Sequence, residues 1–145
     1  MVHGRDEGRA PPVNLALELG AGQIVRKLIG ECLLSAVHDL SDGGLAVALA
    51  EMAMSGGIGA EVSASDAYTA AQWWFGEDQA RYVVTVSPEN AEAFNRIVAE
   101  GPDIDEAEMV GFTRIGTVGG DTLLGVSLDE LRGAHQSFFA DWMDV

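Results

Sequence analysis

The stretch of sequence that decides the fold reads His38-Asp39-Leu40-Ser41-Asp42-Gly43-Gly44-Leu45. The apolar run over residues 34–40 predicts a buried strand, and the apolar spacing over residues 45–55 predicts a helix. The glycine pair permits a tight turn between them, and either Ser41 or Asp42 is expected to cap the helix. The stretch therefore predicts a strand that turns sharply into a helix.

The same turn has a functional interpretation, because N–H groups at a helix start form a common anion site. The residues that would build a phosphate or nucleotide site here are His38, Asp39, Ser41, Asp42, Gly43 and Gly44. A capped turn without a ligand also explains the pattern, since one glycine pair is a weak phosphate signal. His38 beside Asp39 could hold a metal ion or carry a proton, or it could simply make structural hydrogen bonds.

A second polar segment, Phe75–Tyr82, lies just before a strand predicted over residues 81–86. Its cleft-facing candidates are Glu77, Asp78, Gln79 and Arg81. The two carboxylates could bind a cation, Gln79 could hydrogen-bond a substrate, and Arg81 could pair with either acid. A polar loop with a local ion pair is the alternative. Three or four ligands at metal spacing do not occur in the sequence, so a site in which the protein alone holds the metal is not expected.

Periodicity and turn residues predict the elements that surround these two segments. Gly20-Ala21-Gly22 interrupts the helical spacing over residues 15–34, so the first helix is predicted to begin near Gly22. A strand is predicted over residues 58–63, while residues 65–73 are ambiguous and could form a short helix. A further helix is predicted to open at Ser87 and Pro88 and to run to about Ala99.

The last third of the chain is predicted to form a hairpin followed by a helix. The hairpin strands are residues 112–118 and 122–126, joined through Gly119-Gly120-Asp121. The helix spans residues 127–142 and starts with Ser127 and Glu130 in capping-box spacing. The complete order predicts the α+β class, with a mixed β-sheet and helices packed on one face. Residues 1–13 are predicted to be a linker, in which residues 1–3 could be an expression scar, and residues 14–145 a single domain.

Composition narrows the possible partners. The chain has 145 residues and a net charge of −15, from 23 acidic and 8 basic residues. Such an acidic chain repels phosphate backbones, so nucleic-acid binding is not expected. The acids are spread along the chain, which indicates a solvated surface or a surface matched to a basic neighbour. A membrane-spanning stretch and a signal peptide are not expected either, and the expected location is cytoplasmic.

Isolated apolar and aromatic residues suggest packing and not chemistry. Cys32 is the single cysteine and lies in an apolar run, so it is expected to be a buried thiol. The aromatic clusters expected in the core or at a domain interface are Trp73, Trp74 and Phe75, and, on the last helix, Phe138, Phe139 and Trp142. The residues alone therefore give a fold class and one candidate anion-binding turn, without a reaction.

Three segments closely resemble one family in the order in which they occur there. Residues 36–53, which contain the strand–turn–helix stretch, resemble the characteristic segment of the last domain of phosphoribosylformylglycinamidine synthases. Phe75–Tyr82 matches the second hallmark of that domain, and residues 10–15 resemble the linker that leads into it. Residues 115–118 and the closing helix from Leu128 also fit, so the resemblance covers nearly the whole chain.

The resemblance implies the fold and activity of the synthetase subunit of that family. Its members convert formylglycinamide ribonucleotide, ATP and glutamine-derived ammonia to the amidine, with magnesium, in purine biosynthesis. They share their architecture with aminoimidazole ribonucleotide synthetase, and each half of the subunit is an N-type domain followed by a C-type domain. This chain resembles the second C-type domain. The implied partners are the remaining domains, the glutaminase, small accessory subunits and a small nucleotide substrate.

The resemblance also implies that catalysis lies elsewhere, because the catalytic histidines and most nucleotide and magnesium contacts of the family belong to the N-type domains. Here His38 and Asp78 stand where the substrate-binding C-type domain has Gln and Ser. The segments around them would then line a second, structural nucleotide site or an interface with other domains. The rival functions are a related ligase or phosphotransferase, of the selenophosphate synthetase or hydrogenase-maturation type, and a non-catalytic interaction module.

Overall fold

The computed structural model describes residues 13–103 and 108–143, except for the side chains of 138–141. The predicted linker therefore lies almost entirely outside the described residues, as does the predicted packing of Phe138 and Phe139. Five α-helices and six short strands occur within the described ranges. In chain order they are α1 (Leu15–Gly30), β1 (Leu34–Asp39), α2 (Gly44–Gly56), β2 (Ala60–Val62), α3 (Ala70–Phe75), β3 (Tyr82–Val86), a 3-10 turn (Pro88–Asn90), α4 (Ala91–Glu100), β4 (Gly116–Val118), β5 (Thr122–Leu123), β6 (Val126–Ser127) and α5 (Leu128–Met143).

The first helix begins earlier than predicted, at Leu15 and not near Gly22. Asn14 caps it, since its side-chain oxygen accepts the N–H of Leu17 at 3.1 Å. Gly20 and Ala21 are buried inside the helix, with Ala21 only 2% exposed. Small residues at these positions serve close packing, and this offsets the roughly 1 kcal/mol that a helical glycine costs. The glycines are therefore part of the helix and not its boundary.

The strands β1 and β3 form an antiparallel two-stranded ladder between two hydrophobic clusters. On one side α1 and α4 contribute Ile24, Leu28, Phe94, Ile97 and Val98, against Val84 and Val86 of β3. On the other side Val83 packs into a cluster centred on α2. The strand β1 is only partly buried, in contrast to the prediction, because β3 is its only strand partner among the described residues. Among the described residues, the other edge of β1 therefore has no strand partner.

The second sheet has the order β4-β2-β5-β6 and is mixed. Strand β2 pairs antiparallel with β4 and parallel with β5, so it lies between them. The predicted hairpin of two adjacent strands around Gly119-Gly120-Asp121 is therefore wrong, and β5 pairs instead with β6. Ala60, Val62 and Leu123 face the cluster of α2 and α5, while Glu61 is exposed on the opposite face. The predicted α+β class, with helices on one face of a mixed sheet, is confirmed for this sheet.

Helix α2 is the centre of the molecule. Its buried residues, Leu45, Ala48, Leu49 and Ala53, contact side chains from both sheets. The thirteen residues of α2 are apolar or glycine except for Glu51 and Ser55, as expected for a helix that packs on several sides.

Cys32 is exposed in the turn after α1, where its φ is 55°. The prediction of a buried thiol is wrong because α1 ends at Gly30, two residues before it.

A membrane-crossing helix would need more length and apolarity than any helix in the described ranges has.

Candidate functional site

The two polar segments singled out in the sequence meet at one end of the β1–β3 ladder. Asp39, the last residue of β1, pairs with Tyr82, the first residue of β3. The N–H of Leu40 then donates to the carbonyl oxygen of Arg81 at 2.9 Å. Both segments therefore leave the sheet side by side, and we call residues 38–45 and 75–82 together the junction.

A carboxylate from the second segment caps the helix that follows the first. The N–H of Gly43 donates to Oε1 of Glu77 at 2.9 Å. Gly43 is itself the N-cap residue of α2, with φ 82°, and a side-chain cap from its own segment does not occur. Ser41 and Asp42 therefore do not cap α2 as predicted, and only the carbonyl oxygen of Ser41 is used, by the N–H of Gly44 at 3.0 Å.

Gly44 brings the two segments into backbone contact. A Cβ at this position would lie 2.8 Å from both the carbonyl oxygen of Gly76 and the carbonyl carbon of Phe75. Its φ of 64° also lies in the left-handed region that other residues rarely adopt. Glycine is thus required twice at Gly44, once by conformation and once by the close approach of the second segment.

Arg81 and Asp78 hold the second segment in its bent shape. Nη1 of Arg81 donates to the carbonyl oxygen of Gly76 at 3.1 Å and lies 3.6 Å from Oδ2 of Asp78. Of the two acids that were considered for Arg81, the structure pairs it with Asp78, which leaves Glu77 for Gly43. Gln79 is exposed and makes no side-chain hydrogen bond to another described residue.

His38 points away from the glycine turn. Its Nδ1 lies 2.6 Å from the carbonyl oxygen of Asp39, and its Nε2 lies 3.0 Å from Oε2 of Glu51 on α2. The Nδ1 contact has the geometry of a hydrogen bond, whereas the contact with Glu51 is a close approach of the imidazole ring to a carboxylate. Sequence reasoning missed Glu51, although a lone acid in an otherwise apolar helix is a usable signal. His38 and Glu51 form a close side-chain pair between β1 and α2.

This pair lies in an open cleft of about 800 Å³. Its walls are residues 35–38 of β1, the second half of α2 and the middle of α5, including Arg132 and His135. The six residues predicted to form one nucleotide site therefore divide between two places. Ser41, Asp42, Gly43 and Gly44 belong to the glycine turn and Asp39 ends the strand that leads into it, whereas His38 faces the cleft.

Tyr82, the last residue of the junction, carries a phenol that stays protonated. Burial raises the pKa of Tyr82, and the carboxylates of Glu18 and Asp39 raise it further. Its hydroxyl therefore keeps its proton at neutral pH.

The junction lacks the ligand set of a magnesium site. Within the described ranges, three or more His, Cys, Asp or Glu side chains do not come together in a way that could hold a metal ion. Glu77 is bonded to Gly43 and Asp78 lies beside Arg81. The residues that the structure describes therefore do not form a site that fits magnesium.

A family model and two curated relatives all match nearly the whole chain. The family described as "AIR synthase related protein, C-terminal domain" matches residues 1–129. Phosphoribosylformylglycinamidine synthase subunit PurL of Erythrobacter litoralis (strain HTCC2594) is 62% identical over 145 residues, which is 100% of this chain and 19% of that protein. The same subunit of Rhodopseudomonas palustris (strain HaA2) is 46% identical over 149 residues, covering 98% of this chain and 19% of that protein.

Two solved structures share the fold. "T. maritima PurL complexed with FGAR" has a TM-score of 0.65 at 17% identity and covers 89% of this chain and 23% of that one. "T. maritima PurL complexed with AMPPCP" has a TM-score of 0.53 at 18% identity and covers 76% of this chain and 19% of that one. The chain thus spans about a fifth of the length of these relatives.

Proposed function

The chain belongs to the family of AIR synthase related proteins, as their C-terminal domain, and we propose from this that it is the last domain of a phosphoribosylformylglycinamidine synthase subunit. The observation that carries the proposal is the 62% identity to such a subunit over the whole chain. The reaction proposed for the complete subunit is the ATP-dependent conversion of formylglycinamide ribonucleotide and ammonia to the amidine. The proposal includes magnesium in that reaction and a cytoplasmic location.

The role proposed for this domain is structural: it forms one wall of a nucleotide cleft that other domains complete. Support comes from the junction, where backbone contacts and one carboxylate tie the two family segments together. On this wall Ser41, Asp42 and Gln79 are exposed, and their side chains make no hydrogen bond to other described residues, so they can face a ligand or a neighbouring domain. Phosphate binding by Gly43 and Gly44 stays a prediction, because a phosphate at Gly43 would compete with Glu77.

Exposed apolar side chains support packing against other domains. Tyr68, which stacks on Trp73, and Phe75, the last residue of α3, are 59% and 61% exposed. Leu15 and Met109 are exposed to a similar degree. Scattered apolar residues are normal on a surface, but exposed aromatic residues in and near the junction suit an interface. We propose the remaining synthetase domains as the partner, with the glutaminase and accessory subunits bound to the complete assembly.

The experiment that tests this proposal mixes the chain with the rest of a subunit. The E. litoralis relative is truncated so that it lacks the segment matched by this chain, and amidine formation from ATP, ammonia and formylglycinamide ribonucleotide is measured. We expect no activity from either piece alone and restored activity from the mixture. Activity in the isolated chain would refute the assignment of catalysis to other domains. A mixture that neither binds nor reacts would count against the proposed partner.

A further inference from the structure

The domain supplies its own anion to the helix start that the sequence predicts as a phosphate site. Glu77 lies 34 residues beyond Gly43 in the sequence, and its carboxylate still accepts the N–H of Gly43 at 2.9 Å. The positive end of a helix attracts a carboxylate for the same reason that it attracts phosphate. We propose that Glu77 is a built-in anion that keeps phosphate groups off the glycine turn and positions that turn against the second segment.

A second N–H group of the glycine turn, and the approach to it, are also restricted. The N–H of Gly44 is used by the carbonyl oxygen of Ser41. The backbone of Phe75 and Gly76 lies directly against Gly44, where even a methyl group would collide. A phosphate could reach the N–H of Gly43 only if Glu77 moved, and Glu77 belongs to a segment that Arg81 fixes through Gly76 and Asp78. The carboxylate is therefore held in place and not merely nearby.

Local charge acts in the same direction. Asp39, Asp42 and Asp78 are exposed around the turn. Arg81 is already engaged by Asp78 and the carbonyl oxygen of Gly76. A phosphate with two negative charges would meet this acidic surface, whereas the single charge of Glu77 is already compensated by the helix start. The complete enzyme would then obtain its phosphate contacts from other domains, with this domain contributing shape and position. The inference rests on the proposed function for that last consequence only.

The test follows the amide resonance of Gly43 by ¹H–¹⁵N NMR while inorganic phosphate is added to millimolar concentration, and then ADP. In the wild-type chain we expect no saturable shift of Gly43. In Glu77→Ala we expect a saturable, phosphate-dependent shift at Gly43 and Gly44. Asp42→Asn, which removes one exposed acid from the glycine turn but leaves Glu77 and the contacts of Arg81 in place, is the matched control and should behave as wild type.

A saturable shift of Gly43 in the wild type would overturn the inference, since phosphate would then displace Glu77. Silence in both wild type and Glu77→Ala would overturn it too, because nothing would then be excluded. If Glu77→Ala does not fold, Glu77→Gln keeps a hydrogen-bond acceptor without the charge, and the same two criteria apply to it. None of these outcomes bears on whether the chain complements a truncated synthetase subunit, so the two proposals fail independently.

Discussion

At Gly44 the energetic cost of a left-handed backbone can be separated from the cost of a steric collision. Gly44→Ala places a Cβ against the backbone of Phe75 and Gly76 at a φ of 64°, whereas Gly120→Ala meets a φ of 73° with open space around it. We expect Gly120→Ala to lower the free energy of unfolding by about 1–2 kcal/mol, the cost of the left-handed conformation. Gly44→Ala adds a backbone collision, so its loss should reach roughly 3–5 kcal/mol.

Chemical unfolding of the two variants and the wild type measures this difference. Equal losses in the two variants would mean that the second segment does not press against Gly44, and the junction as described would be wrong.

Sequence reasoning found the residues of the junction but not their partners. A cap from the local sequence comes from the side chain of the N-cap residue, and the structure places Gly43 there, so Asp42 lies one residue and Ser41 two residues too early. The sequence offered Arg81 two acids three and four residues away, and only packing decides between them. The bond from Glu77 to Gly43 crosses 34 residues. Spacing along a chain cannot show which distant loop meets a helix start.

At the scale of elements, the start of α5 was predicted correctly and offers a test by pH. The side chain and N–H of Ser127 both donate to Glu130, at 2.6 and 3.0 Å, and the N–H of Glu130 donates to Ser127. The hydrogen bond from the Ser127 side chain, followed by that from its N–H, lowers the pKa of Glu130 below its ordinary value of 4.5. A lowered pKa in the folded state stabilises the protein above 4.5, and this contribution is lost as pH falls through the folded value.

Glu130→Gln should therefore destabilise the chain at neutral pH and cost progressively less below pH 4.5, where wild type also loses the charge. The measurement is unfolding free energy against pH for both proteins. In a Ser127→Ala background the substitution should lose much of its effect, since the larger of the two hydrogen bonds that lower the pKa of Glu130 is gone. A difference between Glu130→Gln and wild type that stays constant through the acid range would contradict the capping box as the cause.

The position of β2 between β4 and β5 has its own test. The N–H of Gly59 donates to the carbonyl oxygen of Gly120 at 2.9 Å, and the N–H of Gly119 donates to Gly59 at 2.8 Å. A Cβ on Gly59 would lie 2.6 Å from the backbone nitrogen of Thr122. We expect Gly59→Ala to lower the unfolding free energy by roughly 2–4 kcal/mol, while Gly111→Ala, with open space, should change it little.

Equal stability of these two variants would favour the hairpin that the sequence alone predicts. That hairpin was a reasonable expectation, because two glycines between alternating segments are its usual signal. Gly119 and Gly120 instead form backbone hydrogen bonds with Gly59, and β2 lies between β4 and β5. Pairing between strands that are far apart in sequence depends on which apolar faces meet, and such short strands carry too few residues to specify it.

At the scale of the whole molecule, the α+β class followed from the order of the elements, while the division into two sheets did not. The division depends on α2, whose apolar surface packs toward both sheets at once. A helix with only Glu51 and Ser55 as polar residues indicates burial on several sides, but it does not indicate what covers each side. Likewise Tyr68 and Phe75 mark an exposed apolar surface, but their exposure does not identify the protein or domain that covers it.

The most direct test of the central claim, that this chain is the last domain of an amidine-forming synthetase, is a replacement within the E. litoralis subunit. The matched segment of that protein is exchanged for this chain, which is 62% identical to it, and the rate of ATP-dependent amidine formation is measured. We expect the chimera to retain activity within about an order of magnitude of the parent, with Gly44→Ala in the chimera reducing it sharply. A folded chimera without activity would contradict the account.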